Sequence, residues 1–238
     1  MDEAPEAPSR HVSRSKERIS EVAMHLFMDQ GYENVTVEAV AAEAGVSRRT
    51  VFRYFPTKDE LPFPDHAGRR DLMVRMFSER HRGVDPVQDV MDVTEAVLRD
   101  FVAHRELVLS RYALTRHVPQ LAQREILEHE KYVTISRRHL ERHFAEPSDS
   151  YKPTALAAMI DGVHRFALSA WARSRGTTDA MADLADGMRW IRLMVDAETS
   201  SVGEAGSLVV AVLPNRPETR RALRQLVGMS EDVERSDL

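Results

Sequence analysis

The sequence predicts an all-α fold, in which an N-terminal three-helix unit precedes a larger helical bundle. Apolar residues recur at helical spacing along most of the 238 residues, at positions i, i+3, i+4 and i+7. Proline and glycine interrupt this pattern at points that match helix starts and helix ends. One segment near the C-terminus, LVVAVL, instead has the pattern of a strand or an extended chain.

Length and composition restrict the class of protein. With 42% hydrophobic residues, the chain can form one large or two modest domains with a packed core. The absence of cysteine excludes disulfides, thiolate metal sites and cysteine catalysis, and it is typical of the reducing cytoplasm, where we expect the protein. The N-terminus is unlike a secretory signal, and no segment approaches the ~20 apolar residues of a membrane span, so we expect no membrane association.

The first predicted elements are a disordered arm over residues 1–14 and a helix over residues 15–30. The arm is suggested by its proline-rich, charged composition. Apolar residues at helical spacing indicate the helix, and Gly31 ends it. They are Ile19, Val22, Ala23, Leu26 and Phe27.

The segment 36–61 predicts a helix-turn-helix and the start of a further helix. Thr36 can accept hydrogen bonds from the amides that open a helix, and Gly45 supplies the positive φ that ends it. Ser47 then caps a second helix, and two short helices joined by such a turn form a helix-turn-helix. Thr57 and Glu60 have the spacing of a capping box, which predicts another helix at this point.

Positive charge is concentrated in this segment. The chain has a net charge of -5, yet residues 44–58 contain four basic and no acidic side chains. A recognition helix presents such residues to base edges in the major groove, so we expect double-stranded DNA as a partner. Arg48, Arg49 and Thr50 are expected to read bases. The predicted DNA-binding residues are Thr36, Ser47, Arg48, Arg49, Thr50, Arg53, Tyr54 and Lys58, with Tyr54 and Lys58 fixing the backbone.

The run GVSRRTVFRYFPTKDEL resembles the signature of the tetracycline-repressor-like (TetR) family of bacterial transcriptional regulators. The resemblance implies an all-α homodimer that binds a pseudo-palindromic operator, acts as a repressor and is released by a small-molecule effector. Position 52 is often a tyrosine in the family, and its hydroxyl reaches the DNA backbone. Phe52 cannot make that bond, and Arg49 stands where the family commonly has a small residue, so operator preferences of its own are expected.

After residue 61, Pro62 and Pro64 predict a break, with a helix resuming near Asp65. Further helices are predicted to follow, at residues 86–117 with a bend near His104, 119–144, 154–175 and 179–198. LVVAVL, at 208–213, is expected to pack on its own subunit or on a partner, because it would aggregate if exposed. The predicted domains are 1–14 (arm), 15–61 (DNA binding), 62–198 (effector binding and dimerisation) and 199–238 (tail).

By resemblance, the last two core helices form the dimer interface. Gly162 and Gly187 lie inside them, and glycine in a helix interior allows close helix approach. The predicted interface residues are Ala158, Gly162, Phe166, Leu184, Gly187, Met188 and Ile191.

The effector is predicted to be apolar with an anionic end, from the aromatic and methionine residues of the bundle and the basic run 137–142. The alternative is that the aromatic residues are ordinary core and the basic run is a solvated helix face. The candidate ligand-binding residues are Met91, Phe101, Tyr112, His117, Tyr132, His164, Phe166 and Trp171.

An enzyme is the competing class, because His139 and His143 have the i, i+4 spacing of two zinc ligands. In zinc hydrolases the catalytic glutamate directly follows the first histidine, whereas Glu141 lies about 200° around the helix. No Gly-rich phosphate loop or G-x-S-x-G elbow occurs either. We therefore predict no catalytic residues, cofactor or metal, with an all-α enzyme or small-molecule carrier bearing a helix-turn-helix as the alternative.

Overall fold

The computed structural model describes residues 10–79, 85–144 and 149–201. These residues form α-helices and two short 3-10 helices, without strands, which confirms the all-α prediction. The 3-10 helices are Tyr32–Asn34 and Lys58–Glu60. The α-helices are α1 (Arg10–Gln30), α2 (Val37–Glu43), α3 (Arg48–Tyr54), α4 (His66–Glu79), α5 (Pro86–Ala103), α6 (Arg105–Thr115), α7 (Pro119–Glu141), α8 (Lys152–Arg173) and α9 (Ala180–Ser201).

The start of α1 and the segment after α3 differ from the sequence prediction. Helix α1 begins at Arg10, so the last residues assigned to the arm are helical. The predicted capping box is wrong, since Thr57 makes no side-chain cap and only the 3-10 helix Lys58–Glu60 follows. Pro62 explains this, because proline has no amide hydrogen to continue the helical hydrogen bonds and its ring clashes with the preceding turn. The predicted LVVAVL segment lies outside the described residues.

Helices α1, α2 and α3 form the helix-turn-helix around one hydrophobic core. The turn between α2 and α3 depends on Gly45, whose φ of 67° is unfavourable for any residue with a Cβ. Apolar residues from all three helices fill the core, and Leu114 and Leu121 of the following domain join it. The DNA-binding unit is therefore packed firmly on α6 and α7. Its main core residues are Ile19, Ala23, Phe27, Val40, Val51, Phe55 and Leu61.

Helices α4 to α8 form the bundle of the larger domain. The chain is not helical between residue 61 and α4, which confirms the predicted break. The predicted bend is also confirmed, since α5 ends at Ala103 and His104 has non-helical dihedrals before α6 begins. Buried side chains from four helices meet in its interior, among them Met73, Val97, Tyr132 and Ile160.

Helices α8 and α9 are joined by a short turn in which Gly176 has a φ of 76°. A Cβ at Gly187 of α9 would overlap the side chain of Val163 of α8. Gly187 therefore serves the packing of α8 against α9 within the subunit. A Cβ at Gly162 would meet no atom within 4 Å.

The chain divides into a compact unit that ends at Arg192 and a second unit that begins at Leu193. The contacts described below lie within the first unit. Among the described helices, we find none with the length and apolar character required to cross a membrane.

Candidate functional site

The recognition helix α3 is fixed at its start by a side-chain cap. The Ser47 hydroxyl accepts a hydrogen bond of 3.1 Å from the Thr50 amide. At the start of α2, the Thr36 hydroxyl likewise accepts a hydrogen bond of 3.1 Å from the Ala39 amide. Val51 lies in the core, so the opposite face of α3 turns outward. Arg48, Arg49 and Arg53 are exposed on this outward face.

Arg48 is held in place by two neighbours. Its Nε lies 2.7 Å from a carboxylate oxygen of Glu38 on α2, and its guanidinium lies 5.1 Å from the centre of the Phe52 ring. Both partners of the ion pair are more than half exposed, so the pair itself adds little stability. The ion pair instead orients the Arg48 side chain. Glu38 therefore helps to position a predicted DNA-binding residue, and the sequence analysis did not predict this contact.

Arg53 and Tyr54 form a second polar group at the end of α3. Arg53 donates a hydrogen bond of 3.0 Å to the Tyr54 hydroxyl and stacks over its ring at 4.8 Å. Lys16 of α1 lies 6.0 Å from the same ring. Three residues with cationic or hydroxyl groups thus lie together where a phosphate could be bound.

Lys58 lies in a different environment from the arginines. Its ammonium group donates to the backbone carbonyl of Tyr32 and lies 4.2 Å from the Tyr32 ring centre. Partial burial lowers the pKa of Lys58. Lys58 therefore links the 3-10 helix after α3 to the segment that follows α1.

An ion-pair network joins the DNA-binding unit to the bundle. Arg124 of α7 lies 3.1 Å from Glu60 and 2.9 Å from Glu128, and it also approaches Asp59 at 3.7 Å. Glu128 in turn binds Arg70 of α4. Burial would raise the pKa of Glu128, but the hydrogen bond from Lys131 and the neighbouring arginines lower it. The 3-10 helix, α7 and α4 are thus electrostatically connected.

Two arginines are buried next to this network. Arg69 pairs with Asp65 and with Asp100, the latter at 2.6 Å, while Arg111 lies 3.0 Å from Asp65. Burial, together with the charge of Arg111, lowers the pKa of Arg69 to about 10. Its guanidinium also lies 3.8 Å from the centre of the Phe101 ring. Asp65, which immediately precedes α4, is therefore tied to α4 and α6.

A small cavity lies among α4, α5, α7 and α8. The volume that the centre of a water molecule can occupy in it is about 20 Å³, which is enough for one or two water molecules. Of the predicted ligand-binding residues, Tyr132 and His164 line it. The lining residues are Met73, Thr94, Val97, Tyr132, Val133, Ser136, Ala157, Ile160, Asp161 and His164.

The other predicted ligand-binding residues are dispersed. Met91, Phe101 and Trp171 are buried but do not line this cavity. Tyr112 is half-buried, and His117 lines a separate surface groove formed with residues 27–34. Phe166 points outward and is 61% exposed.

Buried histidines surround the cavity. His66 Nδ1 shares a hydrogen bond of 3.1 Å with the Tyr132 hydroxyl, and burial and the charge of Arg111 depress the pKa of His66 well below its usual value. Burial, followed by the charge of His129, lowers the pKa of His164 to about 4. Of these histidines only His164 lines the cavity, and its lowered pKa favours the neutral imidazole near neutral pH.

The rings of His139 and His143, the pair considered for zinc, have centres 5.0 Å apart, and both imidazoles also contact other groups. His143 Nδ1 is within 3.0 Å of the His139 carbonyl oxygen, and the His139 ring stacks on Phe77 with centres 4.1 Å apart. His139 Nε2 lies 3.4 Å from a carboxylate oxygen of Asp89. Each imidazole thus has a structural environment of its own.

Six of the seven predicted interface residues divide into two groups, and the seventh, Gly187, packs against Val163 of α8. Ala158, Gly162 and Phe166 lie on the exposed face of α8. Leu184, Met188 and Ile191 of α9 are instead buried within the subunit, where they hold α9 in place. Trp190, which the sequence reasoning missed, is 55% exposed and lines a surface groove with Gly162, Phe166 and Gly187.

The sequence model described as "Bacterial regulatory proteins, tetR family" matches residues 19–62. The HTH-type transcriptional regulator TcmR of Streptomyces glaucescens is 25% identical over 174 residues, which cover 70% of this chain and 77% of TcmR. A putative TetR-family regulator of Syntrophomonas wolfei has a similar fold, with a TM-score of 0.58 at 15% identity, covering 83% of this chain and 98% of that one. Thermus thermophilus FadR, a TetR-family repressor in complex with lauroyl-CoA, has a TM-score of 0.50 at 20% identity, covering 84% of this chain and all of FadR.

Proposed function

The chain belongs to the TetR family of bacterial transcriptional regulators, and on this premise we propose that it is an effector-responsive repressor acting as a homodimer. The observation that carries the proposal is the capped helix α3, whose exposed face presents Arg48, Arg49 and Arg53. The operator is pseudo-palindromic, since each subunit of a two-fold dimer presents the same helix.

Dimerisation takes place through α8 and α9 in this proposal. The support is an exposed apolar surface formed by Phe166 and Trp190 beside Gly162, which leaves space for a partner helix. Exposed aromatic side chains of this size commonly mark interfaces. The dimer brings two copies of α3 to the same face of DNA, where they enter successive major grooves about 34–36 Å apart.

The effector is proposed to enter the cavity among α4, α5, α7 and α8. Met73, Val97 and Ile160 in the lining support an apolar molecule. For an anionic end, the buried guanidinium groups of Arg69 and Arg111 act electrostatically on Tyr132 of the lining, and an anion would compete with Asp65 and Asp100 for them. The sequence pointed instead to the run 137–142, but no residue of this run lines the cavity.

Effector binding must enlarge this cavity. Small-molecule pockets typically measure about 300–1,000 Å³, whereas this cavity accommodates only one or two water molecules. An effector therefore displaces at least one of the surrounding helices. Since α4 and α7 are tied to the DNA-binding unit through Arg70, Glu128 and Arg124, their displacement changes the position of α3.

The size of this effect follows from linkage. An effector that prefers the displaced arrangement by ~1–3 kcal/mol lowers operator affinity roughly 5–150-fold. An effector that binds both arrangements equally has no influence on DNA affinity, however tightly it binds.

Selection of bound DNA from a random pool tests the proposal first. We expect enrichment of a two-fold related motif, and a fluorescence anisotropy titration should give specific binding that weakens with salt. Candidate effectors are then titrated into the preformed operator complex. Failure to enrich any motif would contradict a DNA-binding regulator, whereas product formation from a bound ligand would support the competing enzyme.

A further inference from the structure

We propose that His129, Asp161 and His164 form a binding site for a divalent transition-metal ion of the zinc class. His129 lies on α7, and Asp161 and His164 lie on adjacent turns of α8. One potential ligand atom from each of the three residues lies within 4.8 Å of the others. Two imidazoles and one carboxylate are a donor set that suits zinc and its neighbours in the first transition row.

The distances between these groups fit an ion after small side-chain rotations. His129 Nδ1 is already 3.7 Å from a carboxylate oxygen of Asp161, and the two imidazole rings have centres 6.4 Å apart. Ligand atoms around a tetrahedral zinc ion are about 3.3 Å apart, given bonds of about 2.0–2.2 Å. Binding an ion therefore shortens the largest separation between ligand atoms, up to 4.8 Å, by about 1.5 Å. Rotations of the imidazole rings can supply this change without movement of the helices.

Unsatisfied polar atoms point independently to a ligand at this position. His164 is only 5% exposed, and its Nε2 has no hydrogen-bond partner among the residues that the structure describes. His129 Nδ1 is likewise buried without one among those residues. A buried polar atom without a partner is costly, because it has lost its hydration and gained nothing in return. A bound ion would satisfy both imidazoles.

The carboxylate of Asp161 supplies the negative charge that a cation requires. Its other oxygen lies 3.9 Å from the guanidinium of Arg165, which is largely exposed. Such a neighbour orients a carboxylate ligand and acts as an outer-shell contact. Among the described residues, the pair His139 and His143 on the same helix belongs to no such group of three potential ligands, and His143 Nδ1 lies 3.0 Å from the His139 carbonyl oxygen.

The cavity provides a fourth coordination position. Asp161 and His164 both line it, and it has space for one or two water molecules. Three protein ligands and an open position filled by water are typical of zinc sites that accept an exogenous ligand. An effector with a donor atom could replace that water. The metal site does not depend on the proposed function, because an ion could bind whether or not the chain binds an operator.

Metal binding by the chelator-treated full-length protein tests the proposal. Co²⁺ is added as the spectroscopic probe, and we expect the visible absorption of a tetrahedral site with one ion per subunit. Zn²⁺ should then displace Co²⁺ and abolish the band. Competition with a chromophoric chelator gives the affinity of the wild-type chain and of the variants.

The informative variants are Asp161→Asn, His129→Gln and His164→Gln. Each should weaken Zn²⁺ binding by more than the ~10–100-fold that outer-shell changes typically cost. Asp161→Asn conserves shape, so it remains informative if a histidine variant unfolds, and circular dichroism checks each fold. His143→Gln is the matched control on α7 and should bind Zn²⁺ as the wild type does.

Two results would overturn the site. One is the absence of stoichiometric Co²⁺ or Zn²⁺ binding by the folded wild-type chain. The other is binding that Asp161→Asn and His129→Gln leave unchanged while His143→Gln abolishes it, which would place the ion on α7 elsewhere. Operator affinity is measured separately, so a wild-type chain that binds the operator but no metal ion contradicts the metal site alone.

Discussion

The guanidinium of Arg124 lies 3.1 Å from the carboxylate of Glu60, and this contact joins α7 to the 3-10 helix that follows the recognition helix. Both side chains are mostly buried, so solvent screens their attraction less than it would at an open surface. Arg124 also contacts Glu128, which connects the pair to α4. The contact is thus well placed to transmit helix displacement to α3.

A double-mutant cycle on Arg124→Gln and Glu60→Gln should give a coupling energy of about 1 kcal/mol in urea unfolding. The reason is the partly desolvated ion pair between the two side chains. Glu128→Gln is the control for the other partner of Arg124. Additive effects of Arg124→Gln and Glu60→Gln would show that the pair transmits no energy between the two domains.

Arg49→Ala should lower the affinity for the selected operator by ~1–3 kcal/mol and relax the preference at one base position. Arg49 is exposed near the start of α3, where side chains reach base edges. Fluorescence anisotropy with single-base operator variants measures both effects. Arg173→Ala, at the exposed end of α8, is the control. An equal loss on every DNA sequence would contradict base reading by Arg49.

Lys58→Met should reduce both DNA affinity and the stability of the folded chain. The ammonium donates to the Tyr32 carbonyl, so its loss removes a hydrogen bond worth about 1 kcal/mol. If Lys58 also contacts a phosphate, binding weakens on all sequences and the salt dependence of affinity becomes shallower. Urea unfolding and anisotropy at several salt concentrations separate the two roles. An unchanged salt dependence would restrict Lys58 to the structural one.

Phe166→Asp and Trp190→Asp should each convert the dimer into monomers, because a charge in a desolvated interface is costly. Light scattering coupled to size-exclusion chromatography measures the mass. Ile126→Asp on α7 is the matched control, since Ile126 is as exposed as Phe166, at 61%. If both aromatic variants remain dimeric, the interface lies on another surface.

Gly187→Leu tests a different property from Gly162→Leu. The first should lower the stability of the subunit, because the new side chain overlaps Val163. Gly162→Leu has open space in the subunit and should act only on the dimer. Thermal unfolding at several protein concentrations distinguishes a loss of subunit stability from a loss of dimerisation.

His66 should make stability fall in mild acid. Its folded pKa lies well below the value of about 6.5 expected in the unfolded chain, so below about pH 6.5 only the unfolded state gains a proton. The stabilisation that neutral His66 gives to the folded state is therefore complete above about pH 6.5. As the pH falls below that value, the free energy of unfolding decreases by up to ~1.4 kcal/mol per pH unit. Urea unfolding of His66→Asn should show a weaker pH dependence, whereas the exposed control His25→Asn should not.

The sequence predicted most reliably what depends on local chemistry. Ser47 and Gly45 specify the turn before α3 through a cap and a positive φ, and both were evident from residue type and spacing. The break after residue 61 followed equally from two prolines. The capping box at Thr57 failed because Pro62 stops the helix that such a cap would have begun.

Contacts between distant parts of the chain were not predictable from one sequence. Glu38 and Arg48 come together only because α2 and α3 cross at a tight turn, and Arg124 reaches Glu60 from 64 positions away along the chain. His129 and His164 likewise meet only when α7 packs on α8. Periodicity identified the apolar positions of α9, but it could not tell a subunit core from an interface, as Leu184 and Ile191 demonstrate.

Phe52 lies on α3 beside Arg48 and is 37% exposed. A phenyl ring in the major groove can contact the 5-methyl group of thymine, which no other base of unmodified DNA carries. Phe52 cannot make the hydrogen bond of a tyrosine to the DNA backbone, but its ring would then distinguish thymine from uracil. An operator synthesised with deoxyuridine at one half-site position should bind more weakly to the wild-type chain, and Phe52→Ala should abolish that difference.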